Sequence, residues 1–131
     1  MIVKLKRLFV GYLSKIIFTI MDWNQLDNAA KLAAIKEESN TQKVLIFKHS
    51  TRCSISTMAL GRLERSWKDN EMTALKPYYL DLLNFRSISN QIAEDFGITH
   101  ESPQVLVIEN GQCVYHASHS DIDYKELKSL L

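Results

Sequence analysis

The chain reads as an α/β domain with a mixed central sheet flanked by helices, and three observations predict it. From Asp22 onward, helical and strand-like apolar patterns alternate with short connections. Val44-Leu45-Ile46-Phe47 is a short, continuously apolar run, as expected of a central strand covered on both faces. Asn110-Gly111 separates two strand patterns, and both residues accept positive φ, so a tight antiparallel hairpin is specified. A strand-helix-strand unit pairs in parallel through a right-handed crossover, whereas the hairpin is antiparallel, so the sheet must be mixed.

The elements follow in order. Leu26, Ala29, Ala30, Leu32, Ala33 and Ile35 form a helical apolar series that should end near Ser39-Asn40. After the Val44–Phe47 strand, a second helix begins at Ser54, with Ile55, Met58, Ala59, Leu63 and Trp67 on one face, most of which should be core. Lys76 to Leu83 is strand-like, with Pro77 near its start, where a missing N–H does least harm. Ile88, Ile92, Ala93 and Phe96 mark a third helix, and Gly97 stands where a left-handed C-cap residue would. The hairpin strands are Gln104–Glu109 and Gln112–His116. Ser120 is expected to cap a last helix carrying Ile122, Leu127, Leu130 and Leu131, with Asp123 in its first turn.

At 131 residues, with 46% apolar and 24% charged side chains, the chain suffices for one core, so one domain is the default. The formal charge of +1 comes from 16 basic and 15 acidic residues spread along the sequence, and no dense basic stripe suggests nucleic acid. Residues 1–21 are apolar and basic without an acid until Asp22. Lys4, Lys6, Arg7 and Lys15 interrupt the run, so no integral membrane span is expected. This segment is read as an N-terminal extension, either a membrane-surface helix or a start-site artefact with Met21 as the natural start, and residues 22–131 as the domain. Two cysteines are too few for a secreted disulfide framework and match no zinc pattern, and the four histidines are scattered, so a reducing cytoplasm fits and no metal site is expected.

Cys53 follows the first central strand and opens the next helix. Free N–H groups at a helix start, with Arg52 and the nearby Lys48 and His49, are expected to favour thiolate, the reactive form. His49 in a strand-end loop either adds charge or is simply solvated. Cys53 and Ser56 have the spacing of a C-x-x-C pair with serine at the resolving position. An element order of helix, strand, helix, strand, helix, strand, strand, helix with such a thiol is thioredoxin-like. In that architecture a proline beginning the third strand faces the sulfur. Ser102-Pro103 stands there, and its peptide bond is expected to be cis.

Phe47-Lys48-His49-Ser50-Thr51-Arg52-Cys53-Ser54-Ile55-Ser56, with Ser102-Pro103-Gln104 and Tyr115-His116-Ala117-Ser118-His119, resembles the monothiol bacilliredoxin family, the YtxJ-type redox proteins of the bacillithiol system. The resemblance covers about residues 22 to 131. It implies removal of bacillithiol, an exchanging thiol rather than a bound cofactor, from mixed disulfides on client proteins. Cys53 would be the attacking thiol, Ser56 the vacant resolving position, and Pro103 part of the ligand groove. The family motif is T-C-P-I-S or a close relative, and Ser54 departs from it where proline is usual. Serine keeps the N–H that proline lacks, so Ser54 is expected either to help hold a thiolate or to cap the helix. Two other functions compete: an iron–sulfur carrier in the manner of monothiol glutaredoxins, which would show colour after anaerobic purification, and a noncatalytic interaction domain, marked by an unreactive Cys53. Cys113, in the second hairpin strand, is expected to be a small hydrophobe set apart from the active loop by sheet order.

Overall fold

A computed structural model describes residues 21–131. The reading of residues 1–20 as an extension lies outside the described residues. Met21 is itself buried among Leu45, Phe47 and Trp67. A two-residue strand β1 (Asn24–Gln25) comes first, then helix α1 (Ala29–Glu38), β2 (Lys43–His49), α2 (Ser54–Ser66), β3 (Leu75–Asp81), α3 (Arg86–Phe96), β4 (Gln104–Glu109), β5 (Gln112–Ser118) and α4 (Tyr124–Ser129). Single 3-10 turns at Asp69–Glu71 and His119–Asp121 precede β3 and α4.

The five strands form one sheet in the order β1-β3-β2-β4-β5. β2 lies parallel to β3 and antiparallel to β4, which makes the sheet mixed. Because strand side chains alternate between faces, β2 serves two cores. Leu45 and Phe47 pack with Ala59 and Leu63 of α2, Val105, Val107 and Leu127 of α4. Val44 and Ile46 pack with Leu32 and Ile35 of α1, Leu80, and Ile88 and Ile92 of α3. All four of these β2 side chains have 0% exposure, so the strand is the centre of the domain.

The local chemistry explains most boundaries. Asn28 caps α1 by accepting a hydrogen bond from the Lys31 N–H at 2.8 Å. Gly97 ends α3 with φ 66°, the left-handed conformation expected of it. Asn110 and Gly111 both have positive φ, 52° and 74°, so the hairpin turn twists with its strands. That turn is also tied to the end of α1. The Asn110 N–H donates to the Ser39 carbonyl and the Gly111 N–H to Ser39 Oγ, each at 2.8 Å.

Four expectations need correction. β1 was not anticipated. It exists because Asn24 and Gln25 pair with Tyr78 and Tyr79 of β3, a tertiary contact that two residues cannot announce. Leu26 belongs to the core but precedes α1. Ile55 and Met58 are 55% and 67% exposed, because at about 100° per residue they fall to one side of the stripe of Ser56, Ala59 and Leu63 that faces the sheet, while Ala59, Leu63 and Trp67 are buried. The N-cap of α4 is Asp123, and Ser120 sits in the preceding 3-10 turn.

Candidate active site around Cys53

β2 ends at His49, the chain turns through Ser50-Thr51-Arg52, and Cys53 becomes the N-cap of α2. The Cys53 N–H donates to the Ser50 carbonyl at 3.2 Å, closing the turn. Its carbonyl accepts the Thr57 N–H at 3.0 Å and the Thr57 hydroxyl at 3.2 Å. Its side chain makes no capping hydrogen bond and is half-buried, so the sulfur is held at the surface by backbone bonds on either side. Arg52 and Ser54 flank it, both exposed. Ser54 is the first residue of the helix rather than its cap.

Ser56 is fully buried one turn into α2. Its Oγ lies 2.7 Å from His49 Nδ1 and accepts the Ser50 N–H at 3.1 Å. The solvated alternative for His49 is therefore overturned: the residue is 6% exposed, against the rings of Tyr79 at 5.7 Å and Phe47 at 6.2 Å. Burial lowers its pKa below the usual histidine value, although the carboxylates of Asp81 and Glu64 pull the other way. Glu64 is fixed by the Trp23 indole N–H at 2.9 Å. The His49–Ser56 pair spans seven residues across a strand end and a helix start, a relation with no local sequence signature.

Lys48 does not stand at the sulfur as the sequence suggested. By alternation it points to the face of Val44 and Ile46, opposite α2, and it is fully buried. Its Nζ donates to the Ser89 carbonyl and lies within reach of His100 Nδ1, both at 3.3 Å. Desolvation drops its pKa to about 8. His100 is lowered too, by burial first and then by Lys48 and Arg86.

The Ser102-Pro103 bond is cis, as expected. Pro103 enters β4 directly before Gln104, the register partner of Lys48, so it lies at the same sheet end as Cys53. The preceding loop is fastened from several sides. Gln104 Nε2 donates to the Thr99 carbonyl at 3.0 Å, the Ser118 hydroxyl to Glu101 Oε1 at 2.7 Å, and the His119 N–H to the Pro103 carbonyl at 3.0 Å. On either side of Pro103, Ser102 Oγ and Gln104 Oε1 are buried without a hydrogen-bond partner among the described residues.

Cys113 is at the far end of the sheet. It pairs with Ile108, which pairs with Val44 at the start of β2, whereas Cys53 lies beyond the end of β2. At ~3.3 Å per residue, the strand from Val44 to His49 alone separates the two ends by ~17 Å. A disulfide needs Cα atoms within about 7 Å. Cys113 is half-buried against the α1/α3 core, and burial raises its pKa.

The family model described as monothiol bacilliredoxin BrxC matches residues 24–127. A solved structure described as a candidate oxidoreductase with a thioredoxin fold is 28% identical, with a TM-score of 0.67 over 80% of this chain and 89% of its own. The thioredoxin of Malassezia sympodialis is similar at 14% identity and a TM-score of 0.66, covering 83% of this chain and 87% of that one. Fasciola hepatica thioredoxin matches at 15% and 0.62, over 82% and 94%. The two thioredoxins share the fold. The family match spans the whole sheet and the Cys53 region.

Proposed function

We propose that this chain, which belongs to the monothiol bacilliredoxin family, removes bacillithiol or a similar low-molecular-weight thiol from protein mixed disulfides through the single sulfur of Cys53. One observation carries the reading: Cys53 sits half-buried at the start of α2, and the chain's other cysteine lies at the opposite end of the sheet. A thiol so placed can form a disulfide with an outside partner and with nothing inside the domain.

The exchange follows from that arrangement. Cys53 thiolate attacks the small thiol's sulfur in the client mixed disulfide, the old S–S bond breaks, and the client cysteine leaves as thiolate with the bonding electron pair. Cys53 is left disulfide-bonded to the small thiol. A second thiol from solution then reduces that bond, since no internal cysteine is within reach. Backbone N–H groups at the start of α2 supply a positive dipole end where negative charge gathers on sulfur. Pro103 and the fastened loop before it lie at the same end of the sheet, where they would line the ligand groove, and exposed Arg52 is a cation beside the anion-bearing thiol. Bacillithiol enters as exchanging substrate, the partners are bacillithiolated client proteins, and the reducing cytoplasm is the compartment that keeps both cysteines free.

The test is the intact mass of the protein after separate exposure to oxidised bacillithiol and oxidised glutathione, followed by dethiolation of a bacillithiolated client. The expected result is one adduct, on Cys53, formed faster with bacillithiol, and release of the client thiol. A protein that forms no adduct with either disulfide is not a thiol exchanger.

A further inference from the structure

Ser56 and His49 have no part in the exchange as written, yet they form a buried polar pair one helical turn from the thiol. We propose that they are a proton relay for Cys53, with His49 as the buried acceptor and Ser56 as the bridge. The inference rests on the reading of Cys53 as the exchanging thiol and names the group that takes its proton.

The geometry begins with the helix. Cys53 is the N-cap of α2 and Ser56 is its third helical residue. Both positions belong to the first turn of the helix, and the Cys53 side chain makes no hydrogen bond among the described residues, so its S–H is free to turn toward Ser56. Ser56 Oγ then lies 2.7 Å from His49 Nδ1. Because the Ser50 N–H donates into Ser56 Oγ, the oxygen is fixed in place while its own hydrogen can turn to either side. Turned to the ring, it donates to an unprotonated Nδ1 and leaves the oxygen open to the Cys53 S–H. Turned to the sulfur, it donates to a thiolate while a protonated Nδ1 donates to the oxygen.

Passage between these two states conserves every atom. The S–H bond of Cys53 breaks, its proton goes to Ser56 Oγ, the Ser56 proton goes to Nδ1, and a thiolate and an imidazolium result with no electron transferred. When Cys53 is later displaced from its disulfide as thiolate, the proton returns by the same path. His49 suits the task because it is walled from water by Tyr79 and Phe47. The charged groups that act on it are Asp81, its register partner on β3, and Glu64 on α2, and both favour the imidazolium. Burial opposes them and prevails, which keeps the ring neutral and ready to accept before exchange begins.

The test uses iodoacetamide rather than a disulfide, so it does not depend on which thiol the protein exchanges. Cys53 alkylation would be followed against pH by mass spectrometry for the native chain, Ser56→Ala and His49→Gln, with thermal melts as the check on folding. At pH 6 to 7 both variants are expected to react at least about a hundredfold more slowly, the lower edge of what a positioned proton acceptor contributes. They are also expected to share one pH profile, since each cuts the same path. A merely structural role would lower the melting temperature and leave the profile unmoved. In the native chain, the His49 ring followed by NMR should titrate at lower pH once Cys53 is carbamidomethylated, because the thiolate that stabilises the imidazolium has gone. Superimposable alkylation profiles in folded variants overturn the relay. If a variant fails to fold, an unchanged His49 titration after alkylation of the native chain overturns it. A relay that passes these tests in a protein that forms no disulfide adduct refutes the proposed function instead, so the two failures are distinguishable.

Discussion

Replacing Lys48 by methionine should stabilise the domain at neutral pH and abolish a pH dependence that the native chain carries. The side chain is fully buried, and its ammonium meets the Ser89 carbonyl and His100 Nδ1, with no carboxylate among its hydrogen-bond partners. Its pKa falls from 10.5 to about 8, with desolvation as the cause. Below pH 8 both folded and unfolded chains hold the proton, so the whole penalty is present. Between 8 and 10.5 the unfolded chain binds more protons than the folded one, so stability contributed at this site rises with pH. The shift corresponds to about 3 kcal/mol. Methionine fills similar volume without charge but forfeits the bond to the Ser89 carbonyl, so we expect Lys48→Met to gain roughly 1 to 3 kcal/mol at pH 7. The assay is urea unfolding of both chains at pH 7, 8, 9 and 10, with the difference between them as the readout, since the titrating groups that do not sense Lys48 cancel and His100, which does, has its pKa lowered from 6.5, away from this window. The advantage of the variant should shrink steadily through that window. A difference that stays flat, or one in which the native chain loses ground as pH rises, would refute the account of Lys48 as a buried cation.

Cys53→Ser should abolish adduct formation and client dethiolation, whereas Cys113→Ser should preserve both, as activity assays with each variant would show. At neutral pH iodoacetamide should label Cys53 well before Cys113, whose thiol is held protonated by burial. Ser39→Ala removes the hydroxyl that accepts the Gly111 N–H and donates to the Lys36 carbonyl, and denaturant unfolding should show a loss of about 1 to 2 kcal/mol. Ser56→Cys should make the small-thiol adduct short-lived, because a second thiol would then stand in the first turn beside it. An adduct on that variant as persistent as on the native chain would contradict the placement of residue 56.

Much of this was legible in the sequence because it rests on local rules. The Asn110-Gly111 turn, the unbroken apolar run of β2, the Gly97 cap and a proline placed before β4 each follow from the backbone needs of one or two residues. What escaped depends on contacts between distant segments. Ile55 and Met58 sit beside the stripe of Ser56, Ala59 and Leu63, and their apolarity draws them into it because a serine gives no sign that it lies on the buried side. Lys48 reads as the end of a strand, yet it continues the Val44, Ile46 face of a strand covered on both sides. That alternation was the available sign that its amine would be buried. The His49–Ser56 pair had no such sign, because only the folded turn brings residues 49 and 56 together.

The placement of the two cysteines at opposite ends of one strand fixes the kinetics of anything Cys53 captures. An internal resolving thiol would act at an effective molarity of roughly 10⁵ M or more. Across ~17 Å of rigid sheet that advantage is zero. Each disulfide formed at Cys53 therefore waits for a collision, and its lifetime scales inversely with the concentration of reducing thiol around it. In reductant-rich surroundings the protein turns over. When reductant is scarce it accumulates as the adduct, and the occupied fraction becomes a running measure of the thiol supply.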